Sequence, residues 1–341
     1  MKWYLETGPR GDVVISTRIR IARNIVDFPF PCKLDGEQGA KVVERARAAL
    51  LDSREEASKY DFIDMQKLTP ARAMSLSEKH LISPEFARNR EGRALILSKD
   101  ESVSIMLNEE DHIRIQVMLP GMQLDEALSK ANVIDDHFDS KLRYAFDENL
   151  GYLTQCPTNL GTGLRASVML HLPALEQSGA VGNLTAAVSK LGLVIRGTFG
   201  EGSRARGAFY QLSNQVTLGI SEKQAIDNLS VVANELISQE LAAREALRKT
   251  GAALEDKIWR SYGILVTARL LTTDEFMALV SNVRLGATMK LIDTGLETIN
   301  ELINEVQPST LTASAGRNLD SQSRDELRAR IVREKLTQTK K

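Results

Sequence analysis

Apolar residues recur along this chain with two different periods. Between Val13 and Arg23, Val13, Ile15, Ile19 and Ile21 share one parity while Ser16, Arg18 and Arg20 share the other. That is the alternation of a strand with one buried face. Residues 112–118 repeat it, with Ile113, Ile115 and Val117 opposite His112, Arg114 and Gln116. Further strands are predicted at 102–108, 166–172, 193–199 and 208–218, and helices at about 37–51, 122–146 and 179–191. Short strands without regular βαβ alternation predict an α+β fold, an antiparallel sheet flanked by helices.

The period changes at Ser221. Ile226, Leu229, Val232, Ala233, Leu236 and Ile237 begin a long helix, with Ser221 as its capping residue, that runs to about Lys249 and stops near Gly251. Helical spacing continues through residues 252–306, residues 307–323 read as a polar loop, and a basic helix from Arg324 to about Leu336 closes the chain. The boundary falls near 246–252, which gives an α+β domain over 1–248 and an all-helical domain over 249–341.

Charge and cysteine content remove several classes of function. Lys and Arg together number 44 against 45 acidic residues, so no global field favours nucleic acid or an anionic membrane. There is no signal-peptide stretch at the N-terminus and no run of the ~20 apolar residues that a membrane helix needs. Cys32 and Cys156 allow one disulfide but no disulfide scaffold, and a reducing cytoplasm is the simpler location. No Gly-x-x-x-x-Gly-Lys loop, His-Arg-Asp loop or Asp-Phe-Gly segment occurs. A nucleotide would have to be held by scattered arginines rather than by a glycine-rich cradle.

Residues 156–165, Cys-Pro-Thr-Asn-Leu-Gly-Thr-Gly-Leu-Arg, concentrate candidate chemistry. Gly161 and Gly163 permit a tight turn and close backbone approach, Arg165 offers a fork suited to phosphate, and Cys156 stands at the mouth of the turn. Arg18 and Arg20, at i and i+2, project to one face roughly 7 Å apart, a span that a polyphosphate covers. In Asn108-Glu109-Glu110-Asp111-His112-Ile113-Arg114, a strand extended backward would align Glu110, His112 and Arg114. A carboxylate there could clamp a guanidinium while the arginine holds phosphate. Arg196-Gly197-Thr198-Phe199-Gly200-Glu201 runs a strand into a turn carrying a second carboxylate. Each motif alone also fits an ordinary solvated strand or hairpin, and a lone histidine such as His80 fits a surface or capping role.

Together and in this order, Ser16-Thr17-Arg18-Ile19-Arg20, His80, residues 108–114, residues 156–165 and residues 196–201 resemble the phosphagen kinases over roughly residues 12–246. Creatine and arginine kinases carry a helical domain before the Ser-x-Arg-x-Arg strand; here fifteen residues precede Ser16 and a helical domain follows instead. That layout, Arg165-Ala166-Ser167-Val168-Met169 and the tail Arg324-Asp325-Glu326-Leu327-Arg328-Ala329 resemble the McsB-type protein arginine kinases. Small-guanidine kinases usually carry histidine where Met169 stands.

The resemblance implies transfer of the ATP γ-phosphoryl group to arginine side chains of proteins. Arg18, Arg20, Arg114, Arg165 and Arg196 would surround the phosphates, with His80 and the segments 16–20, 165–169 and 196–201 lining the nucleotide. Mg²⁺ would be held by phosphate and water, with no protein ligand. Glu110 and Glu201 would grip the acceptor, Glu110 would take its proton, and Cys156 would tune or position it. The tail would be an allosteric phosphoarginine receptor, Arg324 and Arg328 embracing phosphate one helical turn apart while Asp325 accepts from the guanidino group. A basic helix with an ordinary ion-pair ladder is the alternative there. A role in marking proteins for an AAA+ unfoldase–protease, an activating adaptor and a homodimer are further implications. Two rival functions are a kinase for a small guanidine such as free arginine, and a non-catalytic phosphoarginine-binding regulator.

Overall fold

The computed structural model describes residues 2–198 and 205–338. Among the described residues ten strands form in chain order: β1 Val14–Arg23, β2 Tyr60–Asp64, β3 Ala94–Ser98, β4 Val103–Leu107, β5 Ile113–Pro120, β6 Phe146–Asp147, β7 Gly151–Tyr152, β8 Leu164–His171, β9 Leu193–Gly197 and β10 Phe209–Asn214. Eight of them make one sheet in the order β2-β3-β4-β5-β1-β8-β10-β9, with every pairing antiparallel, while β6 and β7 pair as a small ribbon.

The apolar parity of the central strands is buried against helices. Ile19, Ile21, Ile113, Ile115, Val117, Ala166 and Val168 share a core with the helices Gly36–Leu50, Leu124–Asp139 and Glu222–Arg248. Ser221 caps the last of these helices in a reciprocal pair with Gln224. A second core links the helices after residue 251, through Ile258, Phe276, Val280, Leu302 and Val332, to Phe209 of β10. A third, around Leu76, Phe86, Leu95 and Met106, packs the helices Pro70–Glu78 and Pro84–Arg88 on the β3–β4 end. Among the described residues no helix is long and apolar enough to cross a membrane.

Several expectations are corrected by tertiary geometry. Register shifts between Val14 and Ser16 in the β1–β8 pairing, so Val14 joins the first core and Ile15 packs on the second. The simple alternation of Val13 and Ile15 therefore breaks. The edge strand β2 and its neighbour β3 are not among the predicted strands. The helix predicted at 122–146 ends at Asp139. The loop predicted at 307–323 contains the helix Pro308–Ala315, and the closing helix begins at Ser321. The Glu78 carboxylate accepts from the backbone N–H of Ser309 and Thr310 at 2.8 and 2.7 Å, so this helix takes its N-terminal partner from a residue 231 positions away. Local sequence carries no trace of such a cap. Both cysteines are free thiols.

Candidate active site

The sheet register assembles the polar face. Arg20 lies opposite Arg165 on one side and Gln116 on the other, Arg18 opposite Ser167 and Met118, and Ala22 opposite Arg114. Gln211 pairs with both Met169 and Arg196. Directly paired residues point to the same face. Arg18, Arg20, Arg114, Arg165 and Arg196 therefore share the face opposite the first core. Arg18 donates to Gln211 Oε1 at 2.8 Å and reaches Ser167 Oγ at 3.4 Å.

Carboxylates meet this row at one end. Arg114 Nη1 lies 2.5 Å from Glu109 Oε2, and Nη2 lies 2.6 Å from Glu110 Oε2. Glu109 is buried and also accepts from Ser83 Oγ, so it holds the guanidinium from behind. Asn159 Nδ2 lies 3.4 Å from Glu110, while Asn159 Oδ1 accepts from Arg165 Nε at 3.2 Å. Arg165 Nη2 then reaches Thr158 Oγ1, which lies 3.1 Å from Cys156 Sγ. One polar chain thus joins the candidate base to the thiol. Buried Asp111 fixes the loop that carries Cys156, accepting from Asn24 Nδ2 and Gln155 N at 2.7 and 2.8 Å. Burial raises its pKa, against the effect of those bonds. Gly163, at φ 65°, sits so close to β1 that a Cβ would come 2.7 Å from the Ala22 carbonyl.

Two cavities meet at Arg20 and Arg114, which line both. The larger, about 500 Å³, is walled by Arg18, His80, Gln116 and Arg206, with Gln307 and Pro308 from the helical part. The smaller, about 280 Å³, holds Glu110, Cys156, Asn159, Arg165 and Arg196. Clustered cations with few counterions make the larger half an anion trap. Burial, then the charge of Arg114, pulls Arg18 down to about 10. Burial, then Arg18, Arg114 and Arg165, lowers Arg20 as well. Arg20 Nε is buried with no hydrogen-bond partner among the described residues, a donor that fits an incoming anion. Burial and Arg18 push His80 down to about 3, so it enters this field as neutral imidazole. Among the described residues no group of three or more His, Cys, Asp or Glu could hold a metal ion.

The expected ranges narrow to alternate positions. Ile19, Ala166 and Val168 project into the first core, and Thr17 is buried with its hydroxyl donating to the Gly121 carbonyl, so these four side chains turn away from the cleft. Ser16 and Met169 face the arginine side but are buried. Thr198 Oγ1 donates to the Phe209 carbonyl inside the hairpin, next to Gly197 of β9. Phe199, Gly200 and Glu201 lie outside the described residues. His112 does not align with Glu110 and Arg114. Residues 108–112 form a turn before β5, and buried His112 accepts from Ile25 N through Nδ1. Glu110 reaches Arg114 across that turn. Asn159, Glu109 and Asp111 lie within the motifs at 108–114 and 156–165, yet residue spacing carries no cue to their bridging roles.

The tail motif departs most from expectation. Arg328 is fully buried and donates to the carbonyls of Val306 and Leu271 and to Asp325 Oδ1, at 2.9, 2.6 and 2.6 Å. Arg324 donates to the Leu319 carbonyl. The two arginines do not form the expected embrace. Arg328 holds three segments of the helical part together, Ala329 is buried in its core, and Glu326 and Leu327 face a separate cavity.

Residues 41–243 match the ATP:guanido phosphotransferase C-terminal catalytic domain, and residues 251–341 match the C-terminal domain of protein-arginine kinase McsB. The chain belongs to the protein-arginine kinase family. It is 47% identical over 327 residues to the protein-arginine kinase of Caldanaerobacter subterraneus subsp. tengcongensis, covering 95% of this chain and 97% of that one. It is 48% identical over 337 residues to the protein-arginine kinase of Geobacillus stearothermophilus, covering 98% and 93%. Among solved structures, the duplicated taurocyamine kinase of Schistosoma mansoni with bound transition-state-analogue components is similar at TM-score 0.61 and 28% identity. That likeness covers 68% of this chain and 33% of the duplicated enzyme. Lombricine kinase gives TM-score 0.60 and 27% identity over 70% of this chain and 69% of its own. The α+β architecture and the ATP-dependent phosphorylation of protein arginine follow from this membership.

Proposed function

We propose that ATP occupies the larger cavity, that an arginine of a client protein enters the smaller one, and that the γ-phosphoryl group crosses between them at Arg20 and Arg114. The observation that carries this reading is the sharing of those two arginines by both cavities, while Glu110 lines only the smaller. An arginine guanidinium is a poor nucleophile because its pKa lies above ~12 and its lone pairs are delocalised. Glu110, ion-paired with Arg114 before substrates arrive, exchanges that partner for the acceptor, and Arg114, still held by Glu109, turns its charge to the phosphoryl group. The N–P bond forms as the bond from γ-phosphorus to the β,γ-bridging oxygen breaks. The guanidinium proton passes to Glu110, and ADP leaves with the electron pair. Cys156, through Thr158 and Arg165, positions the acceptor and forms no covalent intermediate. Glu201 is the second acceptor carboxylate in this scheme.

Mg²⁺ would neutralise phosphate charge while held by phosphate oxygens and water. Residues 1–248 carry the transfer, and residues 249–341 regulate it and mediate dimerisation. The setting we infer is cytoplasmic, with an activating adaptor and an AAA+ unfoldase as partners that receive the marked clients. Comparing ATP consumption with free arginine against a folded protein acceptor tests the choice of substrate. Turnover on the protein alone is expected, and equal turnover on free arginine would move the reading to a small-guanidine kinase.

A further inference from the structure

Among the described residues, the cavity assigned to the nucleotide contains one cation that neither the motifs nor the transfer scheme uses. Arg206 lines it beside Arg18 and Arg20. Its backbone is fixed from two sides. Its N–H reaches the Thr198 carbonyl at 3.3 Å, and the next residue, Gly207, has φ 65° and lies so near the helix Thr273–Thr288 that a Cβ would come 2.5 Å from the Met277 carbonyl. Its Nε lies 2.9 Å from Asp274 Oδ1 in the first turn of that helix. Among the described residues neither Nη nitrogen makes a hydrogen bond, so the outer edge of the fork is left for a ligand.

We propose that Arg206 is a further nucleotide-binding residue, contacting an anionic group of ATP, and that Asp274 is its positioning residue. The side chains of Arg206 and Asp274 are 41% and 75% exposed, so their pair contributes little to stability and serves to orient the fork. Asp274 does not line the cavity. Glu78, the only carboxylate among the described residues that do, is engaged with the N–H groups of Ser309 and Thr310. Among the described residues, nothing acidic that lines the cavity is therefore left to compete with phosphate for Arg206. Because Asp274 belongs to the segment matched by the McsB C-terminal domain, nucleotide affinity becomes sensitive to how that segment is docked.

This inference rests on the nucleotide assignment, and the experiment separates the two. Binding of Mg-ADP to the full chain is measured by calorimetry for wild type, Arg206→Ala, Arg206→Lys, Asp274→Asn, the Arg206→Ala/Asp274→Asn pair, and Arg20→Ala. Arg206→Ala is expected to weaken binding about tenfold, the factor carried by one partly exposed charge-assisted contact. Lys should recover part of the loss. Asp274→Asn should weaken binding about threefold, and the double variant should bind no more weakly than Arg206→Ala. Wild-type affinity in Arg206→Ala with lost affinity in Arg20→Ala would overturn the role of Arg206 alone. Wild-type affinity in both would overturn the nucleotide assignment as well. Equal losses in Ala and Lys variants with a lowered Tm would show a structural role and reject the proposal.

Discussion

Arg20 should act on stability and activity in opposite directions. It pairs across the sheet with Arg165, sits two residues from Arg18, and shares both cavities with Arg114. Like charges roughly 7 Å apart repel by about 2 kcal/mol per pair at an effective dielectric near 20. Delocalised guanidinium charge, solvent and the attraction of Glu109 reduce the sum, so replacing Arg20 by the similarly long Met should stabilise the fold by about 1–3 kcal/mol. For a chain of this size that raises Tm by a few degrees. The gain should shrink at about 0.5 M salt, because screening weakens the repulsion that the substitution relieves. Loss of a cation that stabilises charge developing in transfer should lower kcat about 10²–10³-fold. Scanning fluorimetry at two salt concentrations and a coupled ATPase assay with a protein acceptor read both effects. A lower Tm together with near-wild-type turnover would refute the cation-cluster reasoning.

Three other perturbations follow from the same geometry. Glu110→Gln should reduce transfer at least 10²-fold while Mg-ADP affinity stays within about twofold; retained turnover would reject the base assignment. Arg328→Ala should destabilise the fold by roughly 2–4 kcal/mol, because it orphans the buried Val306 and Leu271 carbonyls and the Asp325 carboxylate, and an unchanged Tm would show that those contacts carry little. His80 stays neutral when folded, so as pH falls below about 6.5 the unfolded chain takes up a proton that the folded chain refuses. Stability should fall steadily toward pH 3. Tm measured against pH should fall less steeply in His80→Gln, and parallel curves would remove His80 as a source.

Strand parity made the polar face legible in advance. Arg18 and Arg20 had to share a face, and antiparallel pairing then set Arg165 and Arg114 beside them. The core side was equally legible from Ile19, Ile21, Ile113, Ile115 and Val117. What spacing could not convey was set by contacts between distant segments. The shift at Val14 and Ser16 turns Ile15 toward the helical part, and the Glu78 cap makes a helix from residues whose composition reads as loop. Arg328 is the clearest case. At i+4 from Arg324 on a basic helix it looks like a surface ligand, yet carbonyls from two other segments draw it into the core. Asn159 is the converse, an ordinary loop residue that becomes the bridge between Glu110 and Arg165.

The central claim is that a basic cavity and an acidic one meet so that phosphorus passes from ATP to the nitrogen of a protein-borne arginine. Its most direct test is the chemistry of the bond formed. The protein is incubated with Mg-ATP and an arginine-rich protein, and the acceptor is examined by phosphorus NMR before and after acid and alkaline treatment. The account predicts a phosphoramidate resonance that acid removes and base leaves in place. A phosphate-ester signal that survives acid, or release of inorganic phosphate with no labelled acceptor, would contradict it.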